Sequence, residues 1–163
     1  AIKSTVVNYD WKNFQILAPA LQNLKKYYKP KNLILIGHSG GAYQGGAIHG
    51  KVPGLVDINI LISCPCDWET RKKLSNGKKW ETKSQLKELK KNSPSFNYKD
   101  IDLKSLNILI VGKDDKNTAP GVSKYYYDLL KKKKLQVKLH IIDGGHGLRS
   151  MPTIGSIIKE YIN

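Results

Sequence analysis

A serine enclosed by glycines carries the first sign of chemistry in this chain. A continuous apolar run leads directly into Gly37-His38-Ser39-Gly40-Gly41, and small residues follow. A Gly-x-Ser-x-Gly sequence between a buried strand and a helix is typical of a sharp turn, the nucleophile elbow, that exposes the serine hydroxyl. Because that turn brings neighbouring atoms very close, we expect glycine to be required at positions 37 and 41. The amide of Gly40, at the start of the helix, is expected to face a developing oxyanion.

Two other interpretations of this stretch are an ordinary glycine-rich turn and a phosphate-binding loop. Phosphate loops require a different glycine spacing, commonly with a lysine. A serine hydroxyl is a weak nucleophile unless a base activates it, and the base in turn needs an orienting carboxylate. The remainder of the chain therefore decides among the three interpretations.

Candidates for both partners follow later apolar runs. Asp114 and Asp115 come just after "ILIVG", and His146 lies in the glycine-rich "DGGHG" that follows "LHII". The order serine, acid, histidine is the one found in hydrolases that use a nucleophile elbow. The residues therefore predict a triad of Ser39, His146 and one of the two aspartates.

The remaining candidates have weaker cases. His38 lies inside the elbow, and we expect it to face away from the base. His49 ends the predicted helix after the elbow and His140 lies within a predicted strand, so both are expected to be structural. Asp143 is on the same loop as His146, which makes approach to the far side of the imidazole awkward.

The elements that would hold these residues alternate along the chain. Apolar runs predict strands at 4–10, 32–37, 56–63, 105–112 and 135–142. Periodic patterns predict helices at 13–28, 40–49 and 120–134, and from Pro152 onward. This order predicts a single α/β domain over 1–163 with a mostly parallel, doubly wound sheet covered by helices on both faces. Ligands bind at the carboxyl ends of such strands.

One segment interrupts the alternation. Residues 64–104 are polar and rich in lysine, with one predicted helix near 82–91. Loops of this length are often functional. We interpret the segment either as a small lid over the carboxyl edge of the sheet or as a surface connection, and the sequence favours neither.

The formal charge is +15, and only Arg71 and Arg149 of the 28 basic residues are arginines. Readers of nucleic acid usually carry arginine forks, aromatic platforms or a recognisable motif, so we expect no specific nucleic-acid partner. A solvated basic surface explains the charge, with attraction to an acidic partner or a membrane surface as the alternative. No apolar run is long enough to span a membrane.

The two cysteines lie two positions apart, as Cys64 and Cys66 in "SCPCD". A disulfide between such close neighbours is uncommon and strained, so we predict two free thiols or at most a local redox pair. A metal site would need more ligands nearby. Neither a metal nor an organic cofactor is therefore expected, and the cysteines do not fix the cellular compartment.

Three stretches together resemble the α/β-hydrolase superfamily: "GHSGGA" at 37–42, "VGKDDKNTAP" at 111–120 and "DGGHG" at 143–147. The second half is similar to the prolyl oligopeptidase and dienelactone hydrolase type of esterase, where a Ser-Pro pair, here Ser93-Pro94, precedes a strand ending in Gly-x-x-Asp. That resemblance implies the α/β-hydrolase fold and favours Asp115 as the acid. Peptidases of the group tend to have tyrosine after the serine. Gly40 in that place therefore implies an esterase acting on a small ester or acyl substrate.

The resemblance also implies strands before the one predicted at 4–10, and a loop after one of them commonly supplies a second oxyanion amide. No stretch of this chain matches that loop. We therefore expect either a missing N-terminal segment or a minimal fold in which residues 8–11 replace the loop. The open sheet edge would favour self-association or pairing with a separate fragment. The alternatives to an esterase are a prolyl oligopeptidase-type peptidase and a non-catalytic binding protein.

Overall fold

The computed structural model of the protein describes residues 11–75, 83–147 and 151–162. Within these ranges one sheet contains four strands, β1 (Ile34–His38), β2 (Ile58–Ile62), β3 (Leu106–Gly112) and β4 (Gln136–Ile142). All neighbouring pairs are parallel, and the strands lie side by side in chain order. The carboxyl ends of all four strands therefore meet at one edge, as predicted.

Helices connect and cover these strands. They are α1 (Trp11–Tyr28), α2 (Gly40–Lys51), α3 (Trp68–Leu74), α4 (Lys83–Lys91), α5 (Pro94–Asn97), α6 (Pro120–Lys132) and α7 (Met151–Ile162), with a 3₁₀ turn at Tyr98–Asp100. Among the helices that the structure describes, none combines the length and apolar character needed to cross a bilayer.

The core has one layer on each face of the sheet. On one face, Leu61 and Leu109 pack against Tyr126 of α6 and Ala42 of α2. On the other face, isoleucines of β2 and β3 pack against Ile154 and other residues of α7. All residues of β3 after its first are buried, which is why this strand reads as a continuous apolar run. The prediction of a parallel sheet with helices on both faces is confirmed.

The small residues that follow the serine allow close helix packing. A Cβ atom added at Gly46 would lie 2.6 Å from Pro94 Cγ at the start of α5. One added at Gly50 would overlap the carbonyl oxygen of Asn97. Glycine at these positions therefore lets the backbone of α2 approach α5 directly.

The predicted strands and helices from 13 onward are present, with boundaries shifted by a few residues. The strand predicted at 4–10 lies outside the described residues. In the segment 64–104 the helix predicted near 82–91 corresponds to α4, whereas α3 and α5 were not predicted. Both are too short to show a helical period. An Asx contact sets the start of α3, where the Asp67 carboxylate accepts a hydrogen bond of 2.7 Å from the Thr70 amide.

The prediction of free thiols is wrong. Cys64 and Cys66 form a disulfide in the structure, and both are fully buried. The chain bends at Pro65 so that the two Cα atoms lie 5.0 Å apart, within the range that a disulfide can bridge. The two cysteines pack in the same apolar layer as Leu109.

Candidate active site

Ser39 occupies the turn between β1 and α2. Its φ angle of 52° lies in the left-handed region, which costs energy for a residue other than glycine and is common at functional turns. The Ser39 amide donates to the Ile62 carbonyl at 2.8 Å and so keeps the turn attached to the sheet. A Cβ added at Gly37 would lie 2.5 Å from the carbonyl carbon and oxygen of Gly41. Glycine at 37 is therefore required, as predicted.

The expected steric need for glycine at 41 is wrong. A Cβ added at Gly41 would meet no atom within 4 Å. The steric restriction applies to position 37 alone. The backbone of Gly41 lies against Gly37, whereas a side chain at position 41 would point into open space.

Gly40 is the first residue of α2, directly after the serine. The first amides of a helix have no acceptor within the helix, and they lie at its positive end. The amide of Gly40 is thus placed beside the Ser39 hydroxyl, and its role as an oxyanion donor stays a prediction. Residues 8–10 of the loop expected to supply a second donor lie outside the described residues.

The loop that follows β4, here called the histidine loop and described over residues 143–147, brings three side chains together. His146 Nε2 lies 2.9 Å from Ser39 Oγ. On the opposite side of the ring, His146 Nδ1 lies 2.9 Å from Asp115 Oδ2 and 3.2 Å from Oδ1. The structure therefore joins the three predicted side chains in the order serine, histidine, acid. Asp114 is exposed, and Asp115 is the aspartate that reaches the ring.

The side chain of Asp115 is fully buried. Its Oδ1 atom accepts hydrogen bonds from the amides of Asn117 at 2.9 Å and Thr118 at 2.7 Å. Burial raises the pKa of this carboxyl, but the hydrogen bonds from His146 and the Thr118 amide, the electrostatic attraction of His146 and a smaller effect of Ser63 together outweigh burial, so the pKa lies below its ordinary value. The ionised carboxylate favours the tautomer with hydrogen on Nδ1, which leaves Nε2 free to accept the serine proton.

Ser63 is a contact that the sequence did not reveal. It follows β2 at the same edge of the sheet, is buried and has a φ angle of 47°. Its only sequence signal was its place at the end of the predicted strand 56–63. It helps to lower the pKa of Asp115, so a residue from each of the four strand ends lies in or beside the site.

The expectation that His38 faces away from the base is wrong. His38 Nε2 lies 2.8 Å from the backbone carbonyl of His146, and the two imidazole rings are 5.2 Å apart. The nitrogen donates, since a carbonyl oxygen can only accept. Side chains of a strand alternate between faces, and His38 points to the face where the chain passes from β4 towards α7.

The loop between β3 and α6, residues 113–119 and here called the acid loop, is also joined to the histidine loop through the backbone. The Asp114 amide donates to the Gly144 carbonyl at 3.0 Å. A Cβ at Gly112 would lie 2.7 Å from the Gly145 carbonyl oxygen, so β3 and the histidine loop touch closely. Asp143 forms an ion pair of 2.7 Å with Lys113, on the surface.

The other two histidines have partners elsewhere. His49 is fully buried and its Nε2 lies 2.9 Å from Ser105 Oγ. Burial lowers the pKa of His49 to about 4, against weaker opposing effects from Asn107 and Asp102. His140 Nε2 lies 3.0 Å from the Tyr161 hydroxyl of α7.

The described parts of the segment 64–104 contact the acid loop. Arg71 of α3 donates to Asn117, and the hydroxyl of Ser75 accepts from the Ala119 amide at 3.1 Å. Trp68 packs edge-on against Tyr43 of α2 at 6.2 Å. The segment thus packs against the domain here, and its action as a lid stays a prediction.

Comparison with known proteins identifies the class. The sequence matches a model of the prolyl oligopeptidase family of peptidases over residues 1–160. The chain belongs to this family, and the predicted resemblance to α/β-hydrolase serine hydrolases is confirmed. No protein among those with curated functions matches the sequence.

Solved structures share the fold. An acylaminoacyl peptidase in complex with Z-Gly-Gly-Phe-chloromethyl ketone has a TM-score of 0.77 at 20% identity, covering 92% of this chain and 27% of that chain. An acylaminoacyl peptidase from Pyrococcus horikoshii gives 0.73 at 20% identity, covering 91% of this chain and 26% of that one. An esterase from Pyrococcus furiosus gives 0.68 at 20% identity, covering 99% and 66%. The chain thus has the α/β-hydrolase fold and spans about a quarter of the length of the peptidases it matches.

Proposed function

We propose that the protein is a serine hydrolase that cleaves carboxylic esters through an acyl-enzyme intermediate. The observation that carries the proposal is the position of His146. Its two ring nitrogens each lie 2.9 Å from a partner, Ser39 Oγ on one side and Asp115 Oδ2 on the other. Nucleophile, base and orienting acid recur in this relation on several unrelated folds in which serine performs acyl transfer.

In the proposed reaction, Ser39 Oγ attacks the acyl carbon while His146 Nε2 takes the hydroxyl proton. Asp115 holds the ring and stabilises the imidazolium that forms. The Gly40 amide donates to the oxyanion of the tetrahedral intermediate. As the intermediate collapses, His146 gives its proton to the departing alcohol and the acyl group stays on Ser39. A water molecule, deprotonated by the same nitrogen, then releases the acid and restores the serine.

Gly40 supports an ester rather than an amide as the substrate, since peptidases of this family tend to have tyrosine after the serine. An alkoxide also leaves more readily than an amine, so hydrolysis of an ester needs less oxyanion stabilisation than hydrolysis of an amide. In this proposal the Gly40 amide supplies about 3 kcal/mol of that stabilisation.

Labelling with a fluorophosphonate probe tests the nucleophile directly, because such probes react with activated serines. We expect stoichiometric labelling of the native protein, none in Ser39→Ala, and undiminished labelling in Ser156→Ala, whose serine is exposed on α7. Hydrolysis of p-nitrophenyl esters should follow the same pattern.

A second assay separates the two activities found among the structural neighbours. Acyl-peptide p-nitroanilides are compared with p-nitrophenyl esters of the same acyl group. Faster turnover of esters in excess of their greater intrinsic reactivity supports the proposal, and preference for the anilides would make the protein a peptidase. A native protein that neither labels nor turns over either substrate would be a non-catalytic binding protein.

A further inference from the structure

Arg71 has a setting unlike that of an ordinary surface cation. It is one of two arginines among 28 basic residues, and only 9% of it is exposed. Its guanidinium carbon lies 4.5 Å from the ring of Trp68, a cation–π contact within α3. The guanidinium therefore projects from α3 with its orientation fixed on one side by an aromatic ring.

The nitrogens of the guanidinium donate two hydrogen bonds to a single residue of the acid loop, Asn117. Arg71 Nε donates to the backbone carbonyl of Asn117 at 3.1 Å, and Nη2 donates to its side-chain oxygen at 2.6 Å. Two roughly parallel donors on a planar fork define both position and orientation. An ammonium on a flexible stem lacks this fork, so lysine does not replace it.

The Asn117 carbonyl that accepts from Arg71 belongs to a peptide group that also contacts Asp115, the proposed acid. A peptide unit is planar, and the N–H of the unit whose carbonyl Arg71 holds is that of Thr118. This N–H donates to Asp115 Oδ1 at 2.7 Å. The preceding N–H, of Asn117, donates to the same oxygen at 2.9 Å. A hydrogen bond at the carbonyl also polarises the peptide and strengthens its donor end.

We propose that Arg71 is a positioning residue for Asp115, because its fork on Asn117 sets the two amides that orient the carboxylate towards His146. This inference rests on the proposed function. In this proposal α3 contributes to catalysis indirectly, because Arg71 fixes the acid loop. The segment 64–104 would have this role whether or not it also acts as a lid. The Ser75 hydroxyl, which accepts from the Ala119 amide, holds the other side of Thr118.

The first test compares Arg71→Lys with Lys72→Ala. Lys72 is exposed on the same helix, so its substitution removes a charge without touching the loop. We expect Arg71→Lys to lower kcat on a p-nitrophenyl ester between about tenfold and about a hundredfold, the cost of a small displacement of a catalytic group. KM should stay within about twofold, since Arg71 does not touch the substrate in this proposal, and Lys72→Ala should change neither constant. Circular dichroism confirms folding of each variant.

Two further readouts separate positioning from a general loss of structure. Free guanidinium added to Arg71→Ala should restore part of kcat, and ammonium at equal concentration should not. The effects of Arg71→Lys and Asn117→Ala on kcat should be less than additive in the double variant, because both act on one link. Lys72→Ala and Asn117→Ala should be additive.

A proton NMR signal tests the inference independently of turnover. The proton on His146 Nδ1, shared with the Asp115 carboxylate, is expected at low field in the native protein and shifted or lost in Arg71→Lys. A folded Arg71→Lys protein with native kcat and an unchanged low-field signal would overturn the inference, as would full additivity with Asn117→Ala. If the native protein neither labels nor turns over esters, the proposed function fails, and the NMR comparison alone decides whether Arg71 positions Asp115. If Arg71→Lys does not fold, Asn117→Ala takes its place, and an unchanged signal there rejects the inference.

Discussion

Two histidine–serine pairs occupy opposite edges of the sheet. At the carboxyl edge, His146 Nε2 lies 2.9 Å from Ser39 Oγ, and at the other edge His49 Nε2 lies at the same distance from Ser105 Oγ. Their hydrogen bonds run in opposite directions. The Ser105 hydroxyl donates to the Asp102 carbonyl at 2.6 Å, so its oxygen accepts from His49. The distance between histidine and serine alone therefore does not identify a nucleophile.

The surroundings of the two pairs explain why only one is suited to catalysis. His146 has an ionised carboxylate on its second nitrogen and is partly exposed. His49 is fully buried, and the pKa lowered by burial keeps it neutral at neutral pH. Ser39 lies in a left-handed turn at the start of a helix and is only partly buried. Base strength, access and the direction of the serine proton all come from neighbours and not from the pair itself.

The largest expected effect comes from removing the carboxylate beside His146, because the His146–Ser39 pair then resembles the His49–Ser105 pair. Asp115→Asn removes the charge beside His146 and favours the wrong tautomer, so we expect kcat on esters to fall by about 10⁴-fold. Asp114→Asn is the matched control, since Asp114 is the exposed neighbour, and it should retain activity within about threefold. Steady-state kinetics of the two variants decides the assignment. A reversed ranking would mean that Asp115 is not the acid.

A second substitution disrupts the nucleophile elbow at Ser39, a turn that the His49–Ser105 pair does not have. Gly37→Ala places a methyl group against the backbone of Gly41 and Ala42, and backbone atoms cannot move aside cheaply. We expect the free energy of unfolding to fall by about 3 kcal/mol or more, measured by urea denaturation. Gly41→Ala is the control: its methyl group meets no atom, so stability should stay the same or rise by up to about 1 kcal/mol. Equal losses in both variants would contradict a steric restriction confined to position 37.

The third prediction concerns pH and the buried pair. In the folded protein the pKa of His49 is about 4, against 6.5 for an unperturbed histidine, so the unfolded chain binds more protons between these values. Stability should therefore be fully present above pH 6.5 and fall as the pH drops from 6.5 towards 4, by about 3 kcal/mol from this group. Urea denaturation at several pH values, compared with His49→Gln, isolates the contribution. If the native protein and His49→Gln lose stability in parallel, His49 does not titrate as described.

Much of this arrangement follows from local sequence. Four predicted strands each end on a residue of the carboxyl edge. The two central strands, β2 and β3, are buried along almost their whole length and therefore read as unbroken apolar segments. The order of Ser39, Asp115 and His146 then follows from a turn with known geometry and from the family resemblance. These features are local, so one sequence shows them.

Contacts made across the fold could not be read in the same way. Ser63, Arg71 and His38 reach the site from separate elements, and nothing in their neighbours along the chain distinguishes them from surface or core residues. The disulfide between Cys64 and Cys66 depends on a bend that the spacing alone does not reveal. The partners of Ser63, Arg71 and His38 are set by how the strand ends, loops and helices come together in the fold.

The smallest expected effect concerns the hydrogen bond that His38 makes to the backbone of His146. His38 donates from Nε2 to the carbonyl of His146 at 2.8 Å, which ties the histidine loop to the end of β1 next to the nucleophile. A single hydrogen bond of this kind is worth about 1 kcal/mol, so His38→Phe should lower kcat about fivefold while KM changes little. His38→Gln keeps a donor of similar reach and should recover most of the loss. His140→Phe is the control, since that histidine contacts Tyr161 of α7. Equal activity of His38→Phe and the native protein would show that the backbone link between the two loops, through Asp114 and Gly144, is sufficient to hold His146.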